Sequence, residues 1–185
     1  MKLLRKIQEL NNSLQTDIEK AIPFWDGFFI FYYFRRVKFI TMAKGKRKEL
    51  YEYPPKILIA TGEAIGRNVK IHQWLLKNGY PELAAFAASL QADKEAFTWL
   101  MTHGFNHLAA FCNAVDGDEK AKQWLIDHHF DFLLVLLGGV EENPKAIAWL
   151  KQNNLKIFIV IVQKIIKLKE EQHRDYNDYH KVHFN

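Results

Sequence analysis

The stretch DKEAFTWLMTHGFNHLAAFCNAVDG, residues 93–117, is followed without a gap by DEKAKQWLIDHHFDFLLVLLGGVEE, residues 118–142. Aligned, Asp93 falls over Asp118, Trp99 over Trp124, Leu100 over Leu125 and Phe105 over Phe130. The same 25-residue step runs back to Asn68, Trp74, Leu75 and Tyr80, and forward to Asn143, Trp149, Leu150 and Leu155. A fixed step of this length is the signature of stacked supersecondary units.

Each unit reads as two short helices. Asn68, Asp93, Asp118 and Asn143 are N-cap residue types, whose side-chain oxygen accepts from the orphaned N–H groups of a first turn. Pro144 suits a first helical position, and Glu95 and Glu119 suit the positive end of a helix dipole. The apolar stripe of the first helix is Ala96, Trp99 and Leu100 with its equivalents, at i, i+3, i+4. Gly79 and Gly104 stand where the chain turns left-handed to leave that helix; His129 and Asn154 take the same place in the later copies. An apolar anchor follows (Tyr80, Phe105, Phe130, Leu155), then a second helix with stripes such as Leu108, Phe111, Cys112, Val115 and Phe158, Ile161, Val162, Ile165. Helices of ten residues are marginal alone and need stacking to bury a continuous core. A weaker copy, with Leu58, Ala60 and Ile65 in its second helix and Lys44–Tyr53 as its first, precedes the four clear ones.

The expected fold is therefore all-α: a right-handed α-solenoid of about four to five 25-residue helix-turn-helix repeats, over residues 57–171. Residues 1–56 form a basic, aromatic-rich helical cap. Leu3, Leu4, Ile7, Leu10, Leu14, Ile18 and Ile22 mark an amphipathic helix ending at Pro23. Residues 24–43 read as a second, largely buried helix, with a strand pair around 37–53 as the alternative. The last repeat helix, Lys156 to about Glu171, caps the array, and residues 172–185 read as a polar tail, frayed or separately docked.

Composition narrows the class. Hydrophobic residues make 49% and charged residues 25% of 185 residues, the balance of a packed domain. The single cysteine excludes an internal disulfide and fits a reducing compartment. The N-terminus lacks the unbroken apolar core of a signal peptide, and neither apolar run, 22–34 nor 155–166, reaches ~20 residues; a cytoplasmic chain without a transmembrane segment is expected. Net charge is +5 but unevenly spread, with residues 1–50 net basic, 51–150 net acidic and 151–185 again basic.

The segment from His107 (His107-Leu108-Ala109-Ala110, then Asp116-Gly117-Asp118, then Trp124-Leu125-Ile126) resembles the two helices of an ankyrin repeat. The period is 25 rather than 33, the β-hairpin finger is missing and the T-P dipeptide is absent. That resemblance implies shared packing and a binding role, and transfers no binding residue. The chain is also similar to an uncharacterised bacterial family of short α-helical repeats, a likeness that implies no activity.

Several constellations are weighed for chemistry. His103, His107, His128 and His129, with Asn78 and Asn153, line the turns between the paired helices, either as a binding ridge or as polar turn residues. A zinc ion shared between neighbouring units lacks a completing cysteine or acid. His173, Asp175, Asp178, His180 and His183 are weighed likewise in the tail. The Trp column reads as core rather than a stacking ladder, and Cys112 as an inert buried thiol. Arg35, Arg36, Lys38, Lys44, Lys46, Arg47 and Lys48 form a basic run without an acid, near Tyr32, Tyr33, Phe34 and Phe39. Nucleic acid, an anionic membrane surface and plain solvated charge all fit it. Gly138-Gly139 falls inside a helix, marking a kink or close packing, and no phosphate loop or nucleophile–base pair is present. The expected function is a non-enzymatic binding or scaffold module for a protein or peptide, without cofactor, with nucleic-acid binding as the alternative.

Overall fold

A computed structural model describes the backbone of residues 48–182 and the side chains of residues 48–175. The amphipathic helix expected before Pro23, the aromatic segment 24–43 and Arg35, Arg36, Lys46 and Arg47 lie outside the described residues. Among those described, all regular structure is helical: a 3₁₀ turn at Leu50–Glu52 and nine α-helices. The helices are α1 (Pro55–Ile65), α2 (Val69–Lys77), α3 (Pro81–Leu90), α4 (Lys94–Thr102), α5 (Asn106–Val115), α6 (Glu119–Asp127), α7 (Asp131–Val140), α8 (Pro144–Gln152) and α9 (Lys156–Val182).

Helix ends follow the 25-residue register. Asp93 Oδ1 accepts from Glu95 N and Ala96 N at 2.9 and 3.0 Å. Asp118 does the same for Lys120 and Ala121, while Asn68 accepts from Ile71 and Asn143 from Lys145. The even helices close with bonds from Tyr80, Phe105, Phe130 and Leu155 N to Leu75, Leu100, Leu125 and Leu150 O, 2.9–3.0 Å long. Such six-residue closure needs a left-handed residue just before the donor. Gly79, Gly104, His129 and Asn154 supply it, with φ of 83°, 84°, 58° and 60°.

The odd helices close the same way around a second left-handed column: Arg67 (φ 65°), Ala92 (69°), Gly117 (87°) and Glu142 (56°). Three of those four carry a Cβ, so this column has no glycine signature in the sequence.

Packing separates two classes of helix. The odd helices lie against one another in order, α1 on α3, α3 on α5, α5 on α7 and α7 on α9, and each even helix covers the seam between its two odd neighbours. The succession returns on itself, because α9 packs against α1. There Ile161 Cγ1 lies 3.6 Å from where a Cβ on Gly62 would stand, and Lys164 pairs with Glu63 at 3.1 Å. The odd helices thus make a closed circuit of contacts rather than a row with two open ends. Leu75, Leu100, Leu125 and Leu150 are all fully buried beneath the even helices. Gly138 and Gly139 mark close packing: a Cβ on either would meet Ala146 or Val162 at 3.2 Å.

Side chains from elsewhere in the chain reach both ends of the odd helices. At their N-terminal ends, the Tyr53 hydroxyl donates to Glu82 Oε1 (2.8 Å), and Tyr51 meets Phe132 edge-on at 5.2 Å. Burial first, and then the Glu82 carboxylate, hold the Tyr53 phenol above its ordinary pKa. Within the helix expected over Lys44–Tyr53, residues 50–52 form the 3₁₀ turn, and Tyr53 is extended (φ −81°, ψ 144°) because Pro54 follows it. At the C-terminal ends, Gln91 Nε2 donates to Ala64 O (2.8 Å). Lys169 Nζ donates to Leu90 O (2.9 Å) and pairs with Asp116, and Gln172 Nε2 also reaches Leu90 O. A cation at gathered helix C-termini meets their negative dipole ends.

Helix α9 continues to Val182, eleven residues beyond the expected stop near Glu171. No Gly or Pro interrupts residues 167–182, and the stretch 167–174 is mostly Lys, Glu, Gln and Arg, residues that lose little rotamer freedom in a helix.

Candidate functional site

The four turns that join an even helix to the next odd one share one construction. Asn78 and Asn153 donate from Nδ2 to Trp74 O and Trp149 O, each at 2.8 Å. His103 and His128 place Nδ1 at 2.8 Å from Trp99 O and Trp124 O. A carbonyl only accepts, so Nδ1 carries the proton in both histidines, leaving Nε2 as the acceptor of the neutral ring. Asn and His are interchangeable here because each carries an N–H two bonds from Cβ. The turn histidines are thus C-caps as well as surface groups.

Each imidazole also lies flat on the indole it caps. His103 stacks on Trp99 with centroids 4.2 Å apart, and His128 on Trp124 at 4.0 Å. On Trp99 Phe105 stacks as well (5.9 Å), and on Trp124 Phe130 (5.6 Å). His107 stacks on Phe130 at 5.1 Å and so joins the two turns. It is fully buried, which removes it from the expected ridge of exposed binding residues. His107 opens α5 one residue inside its start, where the ring faces the core between repeats rather than the turn surface. His129 is exposed and holds the left-handed turn position. Among the described residues no three His, Cys, Asp or Glu side chains come together as a metal site requires.

The Trp column does not behave as uniform core. Trp99 is buried, Trp74 and Trp124 are half-buried, and Trp149 is 42% exposed. Sequence identity across the column conceals this, since each indole depends on what the adjacent turn lays over it. Trp149 is followed by Asn153 and Leu155, and among the described residues no ring lies against it.

Two further exposed apolar residues stand two positions after the Trp column. Met101 on α4 and Ile126 on α6 occupy equivalent positions and are 47% and 45% exposed. Leu76, half-buried, and Lys151 complete that column on α2 and α8. The signal was present as a 25-residue column holding three apolar residues at positions outside the i, i+3, i+4 stripe. Successive even helices α4, α6 and α8 therefore each present one large apolar side chain to solvent.

Of the basic run, Lys48 is described and is exposed. Cys112 is buried, with Sγ 4.0 Å from Phe86 O, and burial pushes its thiol up to about 12, so it stays protonated at neutral pH. His72, not singled out in the sequence, is buried with Nε2 donating to Ala84 O at 3.1 Å. Burial lowers its pKa, the bond to Ala84 and the Asp93 charge opposing that shift.

Among the described residues no helix is long and apolar enough to cross a membrane. Comparison with family models, with curated proteins and with solved structures finds no match.

Proposed function

We propose that this chain is a non-enzymatic module that binds a protein or peptide in the cytoplasm, built as a right-handed solenoid of about four to five 25-residue helix pairs whose last helix returns to the first. The observation that carries the reading is the exposure of Met101 and Ile126 at equivalent positions of α4 and α6, with Val69 on α2 and Trp149 on α8 also exposed. Scattered single apolar residues on a surface are ordinary, but Met101 and Ile126 hold one repeat column on successive even helices and so make a spaced pair that a partner can read, Trp149 standing two residues off that column. The odd helices are engaged with one another around a closed circuit, so the even helices are the face left for recognition. Recurrence of the caps and left-handed turns at one step supports the repeat reading.

The test is site-specific crosslinking in the full chain. A photoreactive residue at Met101 or Ile126 should trap one discrete partner in cells, and the same residue at exposed Glu170 should not. Met101→Asp with Ile126→Asp should abolish the crosslink while leaving the helical circular dichroism intact. Equal yield from all three positions removes this reading. Salt-sensitive binding of oligonucleotides, lost on neutralising Arg35, Arg36, Arg47 and Lys48, replaces it with nucleic-acid binding.

A further inference from the structure

The molecule shows, in two of its own repeats, what fits on the indole of this column. Over Trp99 and Trp124 lies an imidazole, 4.2 and 4.0 Å away and nearly parallel, at 16° and 22°. It is anchored by an Nδ1–H bond to the same tryptophan's carbonyl oxygen. In the fourth repeat the anchor bond is kept by Asn153, 2.8 Å from Trp149 O, but the side chain ends at the amide where an imidazole would continue across the indole. The second ring of the stack is missing too, because Leu155 stands where Phe105 and Phe130 stand in the earlier copies. Trp149 is left 42% exposed, against 8% for Trp99.

We infer that Trp149 is a stacking anchor for a planar, nitrogen-bearing side chain of a protein partner, an imidazole or a guanidinium, which takes over this indole the place that His103 and His128 take over Trp99 and Trp124. Two further observations fit that class. The site lies at the C-terminal end of α8, where the helix dipole favours a donor or a cation. An indole face is also the strongest aromatic partner for a guanidinium or imidazolium. The inference rests on the protein-binding reading and adds which side chain the partner brings to the fourth repeat.

The experiment follows the indole Nε1–H signals of the full chain by nuclear magnetic resonance, the Trp149 signal being assigned from its loss in Trp149→Phe. N-acetyl-arginine methylamide and N-acetyl-histidine methylamide at pH 6 are titrated against the leucine analogue and adenosine monophosphate. The planar side-chain probes should shift the Trp149 signal saturably and bind roughly two- to fivefold more tightly than the leucine analogue. Asn153→His, which copies the second and third repeats and should fold as they do, should fill the place itself and abolish the shift. Equal shifts from the leucine analogue, an unchanged response in Asn153→His, or no response overturn the inference. Tighter binding of adenosine monophosphate overturns it in favour of a nucleobase. Crosslinking from Met101 and Ile126 is read separately from each of these outcomes, so failure of the stacking site is told apart from failure of the protein-binding reading.

Discussion

Replacing Ile161 by Ala tests whether the circuit of odd helices is closed in solution. Ile161 is 2% exposed and lies on α9 against Gly62 of α1. The substitution removes three carbons, a transfer loss of roughly 2.4 kcal/mol at ~0.8 kcal/mol per carbon. A cavity contribution adds to this in proportion to how poorly the site collapses. Collapse is restricted here, because Gly62 has no side chain to swing into the space, so a total of about 3–4 kcal/mol is expected. Urea unfolding followed by circular dichroism gives that number as a shift in midpoint at constant slope.

Amide exchange supplies the decisive part. In an open array α1 has no contact with α9, and loosening the last helix leaves the first untouched. In a closed circuit α1 loses one of its two odd neighbours, so protection over residues 57–65 should fall together with that over 156–168. A cost below about 1 kcal/mol, or protection lost from α9 with α1 unchanged, would refute the closure.

Other perturbations have defined outcomes. His129→Gly relieves a left-handed residue at φ 58°; the strain of ~1–2 kcal/mol, less the extra entropy of glycine in the unfolded chain, leaves a gain of about 1 kcal/mol in thermal or urea unfolding. Asp118→Ala removes the acceptor for Lys120 N and Ala121 N and should cost about 1 kcal/mol, with exchange at those two amides rising first. His72 binds its proton less readily folded than unfolded, so stability is full above the unfolded pKa near 6.5 and is lost as pH falls through the lowered folded value. His72→Phe, which copies Phe97 in the next repeat, should flatten that acid slope; a variant with an unchanged slope assigns it to other groups.

The helix pairs were legible because their ends are written in side chains. Asp93 and Asp118 cap where their type and spacing require, and Gly79 and Gly104 turn left-handed where a glycine is cheapest. The matching turns at Arg67, Ala92 and Glu142 were not legible, since residues with a Cβ hold that conformation under the pull of a six-residue hydrogen bond. Closure was equally hidden. Periodicity reports contacts between neighbouring units, whereas Glu63 and Lys164 meet from opposite ends of the array. At the candidate site the turn histidines were correctly placed, except that His107 lies one position inside its helix and faces the core. An identical column implies an identical environment, and Trp149 departs from that core reading because Asn153 and Leu155 lay no ring over it. The polar residues after Gln172 suggest a tail, yet nothing there breaks a helix and α9 runs on to Val182.

The return of α9 to α1 also fixes how many units this domain can contain. A linear stack tolerates duplication or loss of a repeat, because each added unit meets a neighbour like the one it displaced. Here every odd helix contributes its share of one complete circuit, and the last must arrive with Ile161 beside Gly62 and Lys164 beside Glu63. A chain carrying residues 93–117 twice would overshoot that meeting and separate those partners. Point substitution at the turns and on the even helices therefore remains open to this architecture, while growth by repeat copying, the usual route of helical arrays, is shut.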